Sequence, residues 1–137
     1  LRHIGHLDRL APSLHKKVLQ AIELTKNNDR LTLSLAFNYG GRDEIVCAIR
    51  QIIAEGIPAE EITPDIVSQH MFTAGIPDPD LIIRTSGEMR ISNFLIWQGA
   101  YSEWYVTPTF WPDFDREELH QALADYGRRD RRYGRIG

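Results

Sequence analysis

The chain has 137 residues, a length typical of one domain or of part of one. Hydrophobic residues make up 42% and charged residues 26%, which is ordinary globular composition and excludes disordered, fibrous and disulfide-rich classes. The formal net charge of -3 provides no global positive field, so we expect no nucleic-acid partner and only a local anion site.

The first residues, 1–5, have the composition of the middle of a strand, with neither an initiator Met nor a signal-peptide pattern. We therefore expect an N-terminal part that is missing from this sequence. The one cysteine, Cys47, cannot form an intrachain disulfide or a cysteine metal cluster. Its apolar helical setting predicts core packing and a reduced, cytoplasmic compartment.

Strands and helices are predicted to alternate along the chain. The spacing of apolar residues and the breakers predict helices over residues 12–26, 42–55, 63–71 and 115–132, and strands over residues 31–37, 81–83 and 104–106. Thr63 and Asp115 are predicted N-caps. This alternation indicates an α/β fold with a mainly parallel sheet flanked by helices.

The loop after the strand at residues 81–83 contains the residues that indicate function most clearly. It holds Arg84 and Arg90, together with hydroxyl side chains, Gly87 and Glu88. Guanidinium forks grip phosphates with paired hydrogen bonds, and loop amides can form an anion-binding concavity. Ligands of parallel sheets bind beyond the carboxyl ends of strands, so the loop predicts an anion site. The alternative is that both arginines are solvated or paired with Asp80 and Glu88.

Residues 80–98, 100–103 and 111–114 together closely resemble the signature block of the cis-prenyltransferases, the undecaprenyl diphosphate synthase family. Residues 37–44, Phe-Asn-Tyr-Gly-Gly-Arg-Asp-Glu, resemble an earlier block of the same family. The blocks stand in family order and the resemblance covers essentially the whole chain. It implies the C-terminal part of a single cis-prenyltransferase domain.

The resemblance implies a role for particular residues. Arg84, Arg90 and Ser92 would hold the diphosphate of isopentenyl diphosphate, with the Ile91 backbone close by. Glu103 matches the family's Mg²⁺ ligand, and without the resemblance it is an ordinary acid at a strand start. Mg²⁺ prefers oxygen ligands and keeps waters and substrate phosphates, so one carboxylate on this side is sufficient.

The resemblance to the family also bears on three further features of the sequence. Glu88 is expected to orient Arg84 or Arg90 rather than to act in catalysis. Met89 stands where some members have a histidine, and methionine is a poor ligand for a hard cation. Arg132 and Gly134 resemble the terminal Arg-x-Gly element that reaches across the dimer toward the partner's substrate.

Two groups of residues leave alternatives open. Residues 38–42 form either a strand-to-helix turn that needs glycine freedom or a wall of the active cleft. Large aromatic side chains are expected in the core or an interface: Trp97, Tyr101, Trp104 and Trp111.

The implied activity is Mg²⁺-dependent condensation of isopentenyl diphosphate with an allylic diphosphate. The expected protein is a cytoplasmic homodimer whose product can contact the membrane. The family's Mg²⁺-binding aspartate is absent from this sequence, so the 137 residues alone are expected not to turn over. The alternatives are a non-catalytic partner subunit, which would lose the arginine-serine block, and a generic phosphate-binding module.

Overall fold

The structure is a computed structural model that describes residues 1–129 of the chain. The described residues belong to two compact units, one spanning Leu1–Ile76 and the other running from Pro77 onward. Each unit contains a pair of parallel strands and at least one packed helix. The predicted α/β class is confirmed. Arg132 and Gly134 lie outside the described residues.

The first unit is built on two short parallel strands. Its strands are β1 (Arg2–Ile4) and β2 (Ser34–Ala36), and its α-helices are α1 (Pro12–Thr25), α2 (Gly41–Ala54) and α3 (Pro64–Gln69). His3 lies opposite Leu35 in the register of the strand pair. The buried apolar side chains of this unit come from β1, the helices and the segment after α3: Ile4, Val18, Ala48, Ile52 and Met71.

The helices begin where the sequence predicts. Pro12 and Pro64 occupy first-turn positions, where a missing N–H costs nothing. The Thr63 side chain accepts a 3.3 Å hydrogen bond from the Ile66 amide, so the predicted cap is confirmed. None of the helices in residues 1–129 combines the length and apolar character that crossing a bilayer requires.

The turn between β2 and α2 does not depend on glycine freedom. The left-handed residue there is Asn38, with φ of 48°, whereas Gly40 is extended with φ of -157°. Gly41 is already the first helical residue and is buried. Residues 38–41 therefore form a strand-to-helix turn, as one alternative predicted, but its strained position is an asparagine, which tolerates this region better than most residues.

A buried carboxylate connects α2 to the segment after α3. Glu44 is 1% exposed and accepts hydrogen bonds from the Tyr39 hydroxyl at 2.6 Å and from the Phe72 amide at 2.8 Å. Burying a carboxylate is unfavourable unless donors replace the lost water. The sequence pattern does not single out this residue, and within residues 1–129 it is the one charged side chain that is buried.

One expectation for α2 is wrong. Cys47 was expected in the core, but its side chain is half-buried and lies 3.8 Å from His6. The apolar side chains of this helix are only partly covered, because Val46, Ile49 and Ile53 are exposed in the described residues. Periodicity identifies which side chains share a face of the helix, but it does not show whether anything packs on that face.

The second unit contains the other parallel pair. Its strands are β3 (Leu81–Arg84) and β4 (Glu103–Val106), followed by α4 (Arg116–Gly127). Asp115 accepts hydrogen bonds from the amides of Glu117 and Glu118, which confirms the predicted cap. The predicted end of this helix at residue 132 is wrong, because α4 ends at Gly127 and the Arg128 amide bonds the Asp125 carbonyl.

His70 joins the ends of α2 and α3 and makes this contact sensitive to pH. Its Nδ1 lies 2.6 Å from the Ile66 carbonyl, and its Nε2 lies 3.0 Å from Glu55. The hydrogen bond to Ile66, followed by that to Glu55, raises the pKa of His70 above its ordinary 6.5. A raised folded pKa means that the stabilisation is fully present below pH 6.5 and is lost as the pH rises through the folded value.

We therefore expect the contribution of His70 to the thermal unfolding midpoint to diminish as the pH rises above 6.5, and we expect His70→Gln to remove that part of the pH dependence. Unfolding scans of the protein at its natural length across that range measure the effect. Glu55→Gln removes the negative charge opposite Nε2 and should weaken the same dependence, whereas His120→Gln on α4 is the matched control. An identical pH dependence in His70→Gln and wild type would show that the contact contributes nothing.

Candidate functional site

The loop after β3 folds back on its own unit. Ser86 and Gly87 are both left-handed, with φ of 66° and 68°. Their amides donate hydrogen bonds to the carbonyls of Thr109 and Thr107, at 2.9 and 2.8 Å. These two amides are therefore engaged within the protein. They are not available to bind an anion, so any amide donors of the expected site would come from other residues of the loop.

Glu88 lies between the two arginines of the loop. One of its carboxylate oxygens accepts a hydrogen bond from Arg84, and the other accepts one from Arg90. The three side chains differ in exposure, with Arg84 and Glu88 about one-third exposed and Arg90 two-thirds exposed. One carboxylate thus holds two guanidinium groups, and the trio retains a net positive charge.

The arginines also set the protonation of this carboxylate. The hydrogen bond from Arg84 lowers the pKa of Glu88 below its ordinary value, and the charges of Arg90 and Arg84 lower it further. Glu88 is therefore ionised at neutral pH and keeps both guanidinium groups in place. These contacts fit the orienting role expected from the sequence, and they equally fit the alternative in which the arginines are paired with a nearby acid.

Arg84 and Arg90 line one cavity of about 200 Å³ in the second unit. The described residues that line it include these two cations and no acid. The remaining lining is a threonine and a set of apolar and aromatic side chains: Ile82, Ile83, Thr85, Ile91, Phe94, Trp104 and Trp111. The cavity is cationic where the arginines reach it and apolar elsewhere.

Arg84 also carries a hydrogen-bond donor without an acceptor. Its Nε–H is buried and has no partner among the described residues. An unsatisfied buried donor costs about 1–3 kcal/mol, so an acceptor that enters here gains more than one on an open surface. The guanidinium group is therefore only partly satisfied by Glu88.

Sequence reasoning missed the aromatic wall of this cavity. Trp104 and Trp111 were expected in the core or an interface, yet both line the cavity. Trp111 is 74% exposed and stacks on Phe114 with ring centroids 6.1 Å apart. The alternation of β4 could have suggested that Trp104 and Glu103 point to opposite faces of the strand.

Ser92 is not among the residues that line this cavity. It is exposed and left-handed, with φ of 49°, and the following Asn93 has φ of 64°. Consecutive left-handed residues other than glycine are strained, and such strain often accompanies binding sites. The structure therefore brings Arg84, Arg90 and Ile91 together, with Ser92 on the exposed continuation of the loop. Met89 is 87% exposed.

Glu103 lies at the other end of the strand pair. In the parallel register it is opposite Leu81, whereas Arg84 is opposite Val106. These positions are three residue steps apart along the strands, a distance of roughly 10 Å. The structure therefore does not place Glu103 in the arginine-lined cavity.

The carboxylate of Glu103 is already paired. Its Oε2 accepts a 2.8 Å hydrogen bond from Arg129, whose Nε donates to Asp125 at 2.9 Å. The hydrogen bonds to Glu103 and Asp125 raise the pKa of Arg129. Glu103 is an oxygen donor and is about 29% exposed, so its chemistry fits a hard cation that retains waters. Arg129 is a competing cation at the same carboxylate.

Comparison with known proteins gives one consistent family. A family model described as "Putative undecaprenyl diphosphate synthase" matches residues 1–134. An isoprenyl transferase of Heliobacterium mobile is 50% identical over 140 residues, covering 99% of this chain and 54% of that protein. An isoprenyl transferase of Fusobacterium nucleatum is 50% identical over 132 residues, covering 96% of this chain and 56% of that protein. The chain spans about half the length of these relatives.

Solved structures agree with the family model. Lavandulyl diphosphate synthase from Lavandula x intermedia, solved with dimethylallyl diphosphate, superposes with a TM-score of 0.94 at 39% identity, over 98% of this chain and 59% of that one. A probable undecaprenyl diphosphate synthase from Campylobacter jejuni gives 0.87 at 33% identity, over 98% and 62%. The chain belongs to the undecaprenyl diphosphate synthase family of prenyltransferases.

Proposed function

We propose that the protein containing this chain condenses isopentenyl diphosphate with an allylic diphosphate to make a polyprenyl diphosphate. This chain forms the C-terminal part of the catalytic domain and carries the isopentenyl-binding side. The observation that carries the proposal is the cavity that Arg84 and Arg90 share, because it combines two cations with an apolar lining. Family membership supplies the reaction class.

The two halves of the cavity suit the two halves of the substrate. Guanidinium groups bind diphosphate oxygens through charge-assisted paired hydrogen bonds, and Glu88 keeps both groups oriented. The buried Nε–H of Arg84 is a further donor. Ile91 and the aromatic side chains provide apolar contact for the five-carbon chain, and Ser92 adds a hydroxyl at the exposed end of the loop.

In the proposed reaction these residues position and neutralise charge. The allylic substrate loses its diphosphate group, and the isopentenyl double bond attacks the carbon that carried it to form the new carbon–carbon bond. Loss of a proton then creates a cis double bond. Arg84 and Arg90 hold the diphosphate that the growing chain retains. Positioning and electrostatic stabilisation are the main contributions a protein can make here, and none of these steps needs a covalent enzyme nucleophile.

Glu103 is the proposed Mg²⁺ ligand of this chain. When bound, Mg²⁺ would offset the negative charge of the diphosphate leaving group. The carboxylate is partly exposed and is held by Arg129, which limits its rotation. The proposal also includes a homodimer in which Arg132 and Gly134 reach the partner's substrate, and a long-chain product that contacts the membrane.

The persistence of Arg84, Arg90, Ser92 and Glu103 favours an enzyme over a non-catalytic partner subunit. A partner subunit has no need to keep a paired cationic loop beside an apolar cavity. The same purified protein distinguishes the two, since only the enzyme forms polyprenyl product without another subunit.

The test is incorporation of radiolabelled isopentenyl diphosphate by the protein at its natural length, titrated with Mg²⁺. We expect Mg²⁺-dependent chain elongation. In Glu103→Gln, which keeps the shape and removes the charge, we expect the Mg²⁺ concentration for half-maximal activity to rise about tenfold or more, as for loss of a supporting metal contact.

Asp125→Asn is the matched control, because Asp125 also bonds Arg129 but is not proposed to bind metal. We expect its Mg²⁺ titration to stay near that of wild type. Equal shifts in the two variants would assign the effect to the position of Arg129 and remove Glu103 from the metal site. Absence of product from the wild type under all Mg²⁺ concentrations would refute the proposed function.

A further inference from the structure

The first unit contains a cluster of metal-binding side chains that the proposed reaction does not use. It consists of His6, which follows β1, and of Asp43 and Cys47 on α2. Asp43 and Cys47 are four residues apart, so they lie on the same face of the helix. One ligand atom from each residue lies within 4.8 Å of the others.

His6 directs one ring nitrogen at both helix residues. Its Nε2 lies 2.5 Å from the Asp43 carboxylate and 3.8 Å from the Cys47 sulfur. Its other nitrogen, Nδ1, lies 3.7 Å from the carboxylate of Asp8. A histidine ligand commonly has a carboxylate or carbonyl near its second nitrogen, which selects the tautomer and orients the ring. At 3.7 Å the Asp8 carboxylate is beyond hydrogen-bond distance, so it would have to move closer to take this supporting role.

The backbone that carries His6 is held firmly. Gly5 has φ of 113°, and a Cβ there would lie 2.4 Å from the Phe37 carbonyl oxygen, so only glycine fits. The His6 amide donates to the Asn38 carbonyl at 3.2 Å, and the Asn38 side chain donates to the His6 carbonyl at 3.3 Å. The rings of Phe72 and His6 make a T-shaped contact at a centroid distance of 5.2 Å. The backbone that carries His6 is therefore fixed before any metal binds.

The donor types select a class of metal ion. Thiolate, imidazole and carboxylate together suit Zn²⁺, with metal–ligand distances of about 2.0–2.3 Å, and disfavour Mg²⁺. In a tetrahedral site with these bond lengths, ligand atoms lie roughly 3.3–3.8 Å apart. The separation of His6 and Cys47, 3.8 Å, meets that requirement. The hydrogen bond between His6 and Asp43 has to open by about 1 Å, which the half-exposed Asp43 side chain allows.

We propose that His6, Asp43 and Cys47 form a binding site for a thiophilic divalent cation, Zn²⁺ in particular. Water completes the fourth position on the solvent side of Asp43. The site connects the loop after β1 to α2, so metal binding stabilises this unit. It is separate in residues and in metal chemistry from the proposed Mg²⁺ contact at Glu103, and it does not depend on the proposed function.

The test is Co²⁺ titration of the reduced, metal-free protein at its natural length, followed by displacement with Zn²⁺. We expect a thiolate-to-cobalt charge-transfer band that disappears on adding Zn²⁺. Cys47→Ser should abolish the band. His6→Asn and Asp43→Asn should each raise the Zn²⁺ Kd about tenfold or more. Zn²⁺ should also raise the thermal unfolding midpoint of wild type but not of Cys47→Ser.

His120→Gln is the control, because it removes an exposed imidazole on α4 outside the cluster and should leave Zn²⁺ binding unchanged. Circular dichroism of each metal-free variant checks that it folds. Cys47→Ser is a small change, because it replaces only the side-chain sulfur by oxygen. A cobalt band that persists in Cys47→Ser would place the thiolate ligand elsewhere. Zn²⁺ affinity equal in wild type, Cys47→Ser and His6→Asn would overturn the proposed site.

Discussion

Arg90→Ala is expected to reduce kcat/KM for isopentenyl diphosphate far more than use of the allylic diphosphate. Each charge-assisted hydrogen bond to the diphosphate contributes about 1.5–3 kcal/mol, so loss of one bond lowers kcat/KM by about 10- to 150-fold. Arg90 is a better choice for truncation than Arg84, because two-thirds of its side chain is exposed and its removal leaves little unfilled space. Steady-state kinetics with each substrate varied in turn measure the two effects separately.

Two further variants define what Arg90 supplies. Arg90→Lys keeps the charge but loses the planar fork, so we expect it to recover only part of the activity. Arg50→Ala removes an exposed cation from α2 and controls for net charge. If Arg90→Ala reduced the use of both substrates equally, the arginine-lined cavity would not be the isopentenyl side of the site.

The sequence predicts local structure well wherever a single residue determines it. Pro12, the Thr63–Pro64 pair and Asp115 act within one helical turn, and each helix begins where they predict. The end of α4 was placed five residues too late, because Arg128 and Arg129 are good helix formers and were given more weight than Gly127. Glycine is a residue type that commonly ends helices, so the sequence did carry a signal for this end.

The candidate site is only partly readable from the sequence. Arginine chemistry and family resemblance pointed to Arg84 and Arg90, which the structure places on one cavity. The sharing of Glu88 between them depends on how the loop folds back through Ser86 and Gly87, and local patterns do not encode that path. The 10 Å offset of Glu103 follows from the register of β3 and β4, which two short strands do not specify on their own.

Residue types in one motif can serve quite different purposes, as Asp43 and Glu44 illustrate. They are adjacent acids at the start of α2, where both complement the helix dipole. Asp43 is half-exposed beside His6, whereas Glu44 points inward and is 1% exposed. The helix rotates successive side chains by about 100°, so neighbouring acids reach different surroundings. Only long-range contacts distinguish the two roles.

Glu44→Ala is accordingly expected to lower the free energy of unfolding by about 3 kcal/mol or more. Truncation removes the carboxylate that accepts from the Phe72 amide and from the Tyr39 hydroxyl, and loss of such a buried acceptor costs about 1–3 kcal/mol per hydrogen bond. Chemical denaturation of the protein at its natural length, followed by circular dichroism, measures the loss. The midpoint should fall while the m-value stays constant.

A graded series separates the carboxylate's role from simple loss of volume. Glu44→Gln keeps the shape and one acceptor for the Phe72 amide, and Tyr39→Phe removes one donor, so each should cost about 1 kcal/mol. Glu60→Ala, at an exposed glutamate of the same unit, should stay within about 0.5 kcal/mol of wild type. If Glu44→Gln were as destabilised as Glu44→Ala, the negative charge itself would be required, because the amide fills the same space. If Glu44→Ala matched Glu60→Ala, the buried carboxylate would not hold α2 to the Phe72 segment.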